Sequence, residues 1–355
     1  MSAPDHDLIH QTVRALIATS EKIAISNITV TDGQATVILD VPSEQAPQLE
    51  GLRLSVQNAI AAIPRISHAS VVLTAARPAS EGKEIPDEAR RKMVSHTPLP
   101  GVTSIIAVAS GKGGVGKSTT ATNLALALSN SGLSVGMLDA DIYGPSLPRL
   151  LGITDRRPES SDNKMMIPVS AHGIVCNSIG FLINEESPII WRAPMAVGAL
   201  EQLLRETLWG ELDALIIDMP PGTGDVHLSL CQKLPLSGAV IVSTPQDIAL
   251  IDARRGLNMF RKVGVPVMGI IENMSHYICP NCGHEAHIFG HGGAREESHR
   301  LQTEFLGEIP LDPVIRVTSD DGAPVVAALP DSVYANAYRA IADRLKQQLK
   351  LVHIS

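Results

Sequence analysis

Aromatic residues are scarce. Phe, Trp and Tyr together make up 3% of the 355 residues, which removes the stacked rings on which single-stranded nucleic acid is held. Positive charge is in deficit too: 29 Lys and Arg face 37 Asp and Glu, a formal net charge of -8. Broad binding to a nucleic-acid backbone is therefore not expected. No run approaches the roughly 18 apolar residues of a membrane span, so no membrane partner is expected. The acidic start, Met1 to Asp7, lacks the basic-then-apolar order of a signal peptide. Cysteines number 4, too few for a disulfide framework in a chain this long, which points to a reducing cytoplasm. What the chain does have is apolar bulk, 44% of residues, and a length beyond one domain of about 100–200 residues. Two domains are the expectation.

Residues 1–76 predict a small α+β unit. A helix is expected from about Asp7 to Ser20, with Leu8, Val13, Leu16 and Ile17 as its apolar face. Strands follow at Ile25 to Val30 and Ala35 to Val41, separated by the hairpin signal Asp32-Gly33. A second helix spans about Gln48 to Ala62, and a third strand Ala69 to Thr74, in an antiparallel or mixed sheet. Residues 77–100 hold prolines and many charges and predict a linker. From 101 to 355 short β-branched runs alternate with helical patterns: Ser104 to Ala109, Val135 to Asp139, Leu215 to Asp218, Gly238 to Ser243, Val267 to Ile271. That alternation predicts an α/β domain, a mostly parallel sheet with helices on both faces. The segment Tyr334 to Leu351 carries Tyr334, Tyr338, Ile341, Leu345 and Leu349 at helical spacing.

The strand ending at Ala109 runs into Gly111-Lys112-Gly113-Gly114-Val115-Gly116-Lys117-Ser118, and a helix from Thr119 follows. This is G-x-x-x-x-G-K-[ST] in its required strand–loop–helix setting, a P-loop. Glycines let backbone N–H groups wrap phosphates, and the helix N-terminus adds partial positive charge. Gly111 through Thr119 are thus the candidate nucleotide-binding residues. Lys117 is expected to reach the β and γ phosphates of ATP, and the Ser118 hydroxyl to ligate Mg²⁺. A glycine-rich turn that binds nothing is the alternative, and spacing, lysine, hydroxyl and context all oppose it. Asp218 ends an apolar strand, where a Mg²⁺-holding carboxylate belongs. Asp139 and Asp141 end another. Each alone could be a turn former, but all three belong to strands of one predicted parallel sheet, whose carboxyl ends are where ligands bind. Pro220 to Asp225 is a candidate switch loop.

Lys112, directly after the first glycine, makes the loop resemble the deviant P-loop of the MinD/ParA/ArsA/NifH-like ATPases. That resemblance implies a homodimer in which this lysine reaches the partner's nucleotide. Three further segments, Asp139 to Ser146, Asp218 to Asp225 and Cys279 to Gly283, are similar to the Mrp/ApbC-type iron–sulfur cluster carriers, over Val102 to about Asp343. The N-terminal unit resembles the small MIP18-like domain often fused to bacterial members, and here it lacks cysteine. One departure is Ala193, where Gly is expected. The resemblance implies an ATP hydrolase that hands clusters to apo iron–sulfur proteins. Lys112, Lys117 and Asp141 are then its candidate catalytic residues, with Asp141 orienting the attacking water. It places Ser118, Asp139 and Asp218 at Mg²⁺, and makes Asn273 the base-reading residue, as an amide can pair with adenine.

Cys279-x-x-Cys282, after the last strong sheet strand, presents two sulfurs to one metal or cluster. Two thiolates are half of a four-thiolate set, and a homodimer doubles them. Spacing and resemblance together point to a [4Fe–4S] cluster bridging two subunits. A single-chain zinc site with His284, His287 or His291 is the main competitor. A redox C-x-x-C fits less well, since the pair opens no helix. Cys176 and Cys231 sit in apolar surroundings and are expected to be buried and inert. The rival functions are a MinD-like membrane-positioning ATPase, using the C-terminal helix as a lipid-binding amphipath, and a ParA-like DNA-segregation ATPase. Neither accounts for the cysteine pair.

Overall fold

The computed structural model describes residues 3–17, 23–31, 34–42, 49–64, 66–76, 98–161, 165–182 and 193–352. The chain divides into two compact units, Met1–Pro86 and Asp87–Ser355. In the first, α1 (Ala3–Ile17), β1 (Ala24–Thr31), β2 (Gln34–Pro42), α2 (Glu50–Ala61) and β3 (His68–Ala76) follow in order. β1 and β2 are antiparallel, while β2 and β3 are parallel, so the sheet is mixed. The Asp32-Gly33 turn and most of the expected linker, 77–97, lie outside the described residues. On α1 the buried face is Ile9, Val13 and Ile17. Leu8 and Leu16, expected on that face, are 45% and 37% exposed. Each lies one residue, about 100° of helix, before the Ile9 and Ile17 that do face inward. Opposite them, Ala35, Val37, Leu39 and Val41 alternate inward along β2.

The second unit is built on one eight-stranded sheet. Its strands are β4 (Val102–Ala109), β5 (Val135–Asp139), β8 (Val169–Ala171), β9 (Ile174–Ser178), β10 (Leu212–Asp218), β11 (Gly238–Ser243), β12 (Val267–Asn273) and β15 (Phe305–Ile309). Two small ribbons lie outside it: β6 (Glu159–Ser160) with β7 (Met166–Ile167), and β13 (Tyr277–Ile278) with β14 (Glu285–Ala286). Spatial order is β15-β12-β11-β4-β10-β5-β9-β8. Every neighbouring pair is parallel except β8 with β9. Seven helices complete the described elements of this unit that matter below: α3 (Lys117–Asn130), α4 (Leu147–Leu150), α5 (Ala193–Arg205), α6 (Asp225–Lys233), α7 (Asp247–Lys262), α8 (Gly293–Arg300) and, after two short helices α9 (Pro313–Asp320) and α10 (Val325–Ala328), α11 (Val333–Val352).

Both faces of the sheet are covered, and the period of two along each strand sorts its side chains between them. Ile106 and Val108 of β4 join Leu124 and Leu128 of α3 and Ile341 and Leu345 of α11 in one core. Ile105, Ala107 and Ala109, the alternate positions, join Leu203 of α5 and Leu257 and Phe260 of α7 in the other. The apolar stripe of α11 is therefore spent inside the protein: Tyr338, Ile341, Leu345 and Leu349 are all buried. A lipid-binding amphipath needs that stripe free, so the membrane-positioning rival loses its instrument. Among the described helices none is long and apolar enough to cross a membrane. The cysteine pair follows β12, as expected, but one sheet strand that was not expected, β15, comes later and pairs with β12 at the sheet edge. Two of the five residues of β15, Gly307 and Glu308, are only partly buried, so its sequence carries a weak apolar signal.

Candidate functional site

β4 ends at Ala109 and α3 begins at Lys117, so the motif loop stands at the carboxyl edge of the sheet. Two glycines are obligatory here for close approach. A side-chain carbon on Gly111 would lie 2.2 Å from the Asp252 backbone of α7. One on Gly116, which also holds φ +77, would lie 2.3 Å from Asn273 Nδ2. The loop walls a cleft of about 300 Å³ lined by Lys112, Gly113, Gly114, Gly116, Lys117, Ser118 and Thr119, with Asp141, Gly144, Ser146 and Pro221 opposite. Val115 is buried behind it. Lys112 is half-exposed at the cleft, and the Ser110 hydroxyl donates to its carbonyl.

Lys117 is 6% exposed. Its ammonium lies 2.5 Å from Asp218 Oδ1, 3.2 Å from Ser118 Oγ and 3.9 Å from Asp141 Oδ2. The strand register sets Asp218 beside Asp139, one at the end of β10 and one at the end of β5. Asp141 is not at a strand end. It lies in the loop two residues on, where its N–H donates to Asp139 Oδ1 at 3.1 Å. Asp139 is wholly buried and both its oxygens are engaged. Oδ2 accepts from the Ser146 and Leu147 N–H groups at 3.0 and 3.1 Å and from Ser178 Oγ at 3.0 Å. Asp139, expected near Mg²⁺ and paired in register with Asp218, also shapes the Asp141 loop and caps α4 through these bonds. Burial and the charge of Asp218 push its carboxyl up to about 7, against the hydrogen bonds from Leu147 and Asp141. Burial raises Asp141 as well, with Lys117 pulling the other way.

Asn273, the last residue of β12, reaches the loop from the far side. Its amide donates to the Val115 carbonyl at 2.8 Å in the space that Gly116 leaves open. The cysteines stand further along. β13 and β14 pair Ile278 with Glu285, and between them Cys279 N–H donates to the His284 carbonyl and Gly283 N–H to the Cys279 carbonyl. Gly283 takes φ +71 to close this turn. Cys279 is half-buried and Cys282 exposed. Backbone groups of Asn281 and Cys282 and the Cys282 thiol hold the Cys279 thiol below its ordinary value, which favours thiolate. Two of the nearby histidines contact each other: the His287 and His291 ring centroids lie 4.1 Å apart at a tilt of 44°, and His287 Nε2 lies 3.7 Å from Glu285. Among the described residues, no three His, Cys, Asp or Glu converge to hold a metal within one chain. Cys176 and Cys231 are buried, and burial pushes each thiol up to about 12.

A P-loop whose lysine rests on a strand-end carboxylate, with two paired thiols on a separate hairpin, is a specific combination. The ParA family profile described as "NUBPL iron-transfer P-loop NTPase" matches residues 101–346. The chain belongs to this iron-transfer P-loop NTPase family. Its relatives include the iron-sulfur cluster carrier protein of Salmonella typhimurium, 55% identical across 73% of this chain and 70% of that protein. The mouse iron-sulfur cluster transfer protein NUBPL is 53% identical across 73% of this chain and 82% of its own length. Among solved structures, the nucleotide-binding protein of Archaeoglobus fulgidus in complex with ADP is 41% identical, covers 62% of this chain and 87% of its own, and superposes with a TM-score of 0.56. The cell division ATPase MinD of Pyrococcus furiosus, 22% identical with a TM-score of 0.53 over 69% of this chain and 99% of its own, shares the fold.

The structure adds three residues of this iron-transfer NTPase that sequence reading passed over. Ser146 Oγ is buried at the wall of the cleft with no hydrogen-bond partner among the described residues. Glu272, wholly buried at the end of β12, accepts the Ala294 N–H at 2.7 Å and so pins the far end of the segment that carries the cysteines. His227, in the first turn of α6, is buried beneath the Pro220–Gly224 loop. Ser146 closes the Asp139 to Ser146 segment that carries the resemblance, though no role was expected of it there, and no motif marks Glu272 or His227. Each is recognisable only as a polar atom placed where the fold leaves it few partners.

Proposed function

We propose that this iron–sulfur cluster carrier binds and hydrolyses ATP with Mg²⁺ at the Gly111–Thr119 loop. A homodimer holds a [4Fe–4S] cluster as cargo between two Cys279–Cys282 pairs and delivers it to apo iron–sulfur proteins of the cytoplasm. The observation that carries the proposal is the cysteine hairpin. Two thiols, one favoured as thiolate, stand together at the surface with no third ligand from the described residues of their own chain. Two such pairs make the four thiolates that a cluster takes.

The cleft fits a nucleotide with a divalent ion. Its wall is glycine backbone at a helix N-terminus, which suits phosphate. Ser118 Oγ, Asp218 and the unpartnered Ser146 Oγ are hard oxygen donors, the chemistry a Mg²⁺ ion selects. Ser118 and Asp218 would hold the ion, with Asp139 behind them fixing the Asp141 loop. Mg²⁺ held there would supply charge neutralisation for the phosphates. In the resting protein Asp218 holds Lys117. Incoming phosphate competes for that ammonium, and its departure frees Asp218 for the ion. Asp141, held by Asp139 through its own N–H, faces the cleft and orients the attacking water. Lys112, half-exposed at the cleft mouth, reaches the partner subunit's nucleotide. Asn273, with its amide beside the loop, contacts the base.

The test is reconstitution with iron and sulfide without oxygen, followed by metal counting and visible spectroscopy. About four irons per dimer are expected. One colourless zinc per chain, with no iron–sulfur absorbance after reconstitution, would overturn the cargo assignment and leave the ATPase.

A further inference from the structure

His227 is 3% exposed. Neither ring nitrogen has a hydrogen-bond partner among the described residues. The ring faces the backbone carbonyls of Pro220 and Gly222, yet neither meets it in hydrogen-bond geometry. Phe260 of α7 packs edge-on against it, with centroids 5.6 Å apart at 75°. An unpaired buried polar ring is costly, and an apolar side chain would fill this place without that cost. The loop above is tethered at two points: Met219 N–H donates to Val108 O and Gly222 N–H to Ser110 O, each at 3.0 Å. Between these tethers stand two prolines, which have no N–H to anchor them. One of them, Pro221, lines the nucleotide cleft. Among the described residues, the N–H groups that hold the segment a nucleotide would touch are those at its ends, and the imidazole beside it closes no hydrogen bond in proper geometry. Burial pushes the ring down to about 4, so at neutral pH it is uncharged and carries one N–H donor.

We propose that His227 latches this loop: with ATP in the cleft, the Pro220 or Gly222 carbonyl moves into line with the imidazole N–H, and the bond holds the loop in its hydrolysing position. The inference rests on the cleft being an ATP site. His227 touches neither nucleotide nor ion, so it is a positioning residue, acting through the loop.

The full-length chain carrying His227→Phe or His227→Gln tests it. Phe keeps a ring against Phe260 and loses the donor, whereas Gln keeps a donor. The Phe variant should bind ADP within about twofold of wild type, leave KM for ATP nearly unchanged and lose about tenfold in kcat, the scale of one hydrogen bond made in the active state. The Gln variant should recover most of that loss. A Phe variant with wild-type kcat, or equal losses in both variants, overturns the latch. Nitrogen NMR of the wild-type imidazole makes the test independent of how the variants fold, the His227 signal being the one missing from the Gln spectrum. It should shift when a non-hydrolysable ATP analogue and Mg²⁺ are added. An unmoved signal with the analogue bound overturns the latch and leaves the nucleotide site standing. A wild-type protein that binds no nucleotide overturns the ATP site itself, and the latch with it.

Discussion

Removing the charge of Lys117 should destabilise the nucleotide-free protein, and a second substitution should restore it. Lys117 and Asp218 are 6% and 1% exposed and 2.5 Å apart. Lys117→Met keeps the stem but leaves Asp218 buried without its counter-ion, next to the Asp139 carboxylate that already raises its neighbours' cost. Breaking a buried pair from one side costs about 3–5 kcal/mol, a large part of a total stability of about 5–15 kcal/mol. Asp218→Asn alone should cost less, because Asp141 Oδ2 remains 3.9 Å from the ammonium. Lys117→Met with Asp218→Asn removes both charges, and should recover all but about 1 kcal/mol of the single loss, as replacing a whole buried pair often does. Urea unfolding without nucleotide measures this in a Trp191→Phe background, where the buried Trp209 reports on the second core. Turnover should stay abolished in both Lys117 variants, since neither can hold the phosphates. A single variant that loses under about 1 kcal/mol, or a double variant as unstable as the two losses added, refutes the buried resting pair.

Asp141→Ala should leave nucleotide affinity near wild type and lower turnover, since its carboxylate orients water and its backbone bond to Asp139 survives the change; calorimetric binding with a phosphate-release assay reads the two separately, and equal affinity with equal turnover refutes the role. If the proposed dimer shares one cluster, Cys279→Ala or Cys282→Ala would remove one thiolate from each subunit, two of four, and should abolish stable cluster binding while ATP still binds; retained iron at about four per dimer in either variant would sink the shared site. Acid should weaken the fold through His227, whose folded value is about 4 against 6.5. The unfolded chain takes that proton first, so the contribution is whole above pH 6.5 and is lost as pH falls toward 4. Asp139, raised from 3.8 to about 7, acts oppositely, because there the folded chain protonates first and gains stability as pH falls. Only the comparison with His227→Gln isolates the histidine: wild type should lose about 2 kcal/mol more than the variant between pH 6.5 and 5, and parallel stability curves would refute a buried neutral ring.

Most of the second unit's sheet was legible because its strands are local apolar runs bounded by turns. β5 and β11 match their expected ranges to the residue, and the motif loop announces itself by spacing alone. β15 was not legible. Its middle is half-exposed at the sheet edge, so neither alternation nor a continuous apolar run marks it. The error on α1 has the same root. Leu8 and Leu16 are as apolar as Ile9, and only packing against α2 and β1 over the shared core decides which stripe faces inward.

What the chain's letters determine by themselves is the chemistry held in short contiguous stretches. The N–H groups from Gly111 to Ser118 are consecutive, as a phosphate cradle requires, and the two thiols of Cys279 and Cys282 share one turn, so their spacing nearly fixes their geometry. Tertiary structure alone decides what meets across long separations. It sets Lys117 on Asp218, 101 positions away, and Asn273 against Val115, 158 away. It also turns Asp139 inward to accept four hydrogen bonds, making it the scaffold of Asp141. It leaves His227 buried without a hydrogen-bond partner among the described residues, beside a loop of two prolines. The physical reason is that burial and partner choice belong to the packed sheet ends as a whole: a carboxylate or imidazole has the same letter whether the fold satisfies it or strands it.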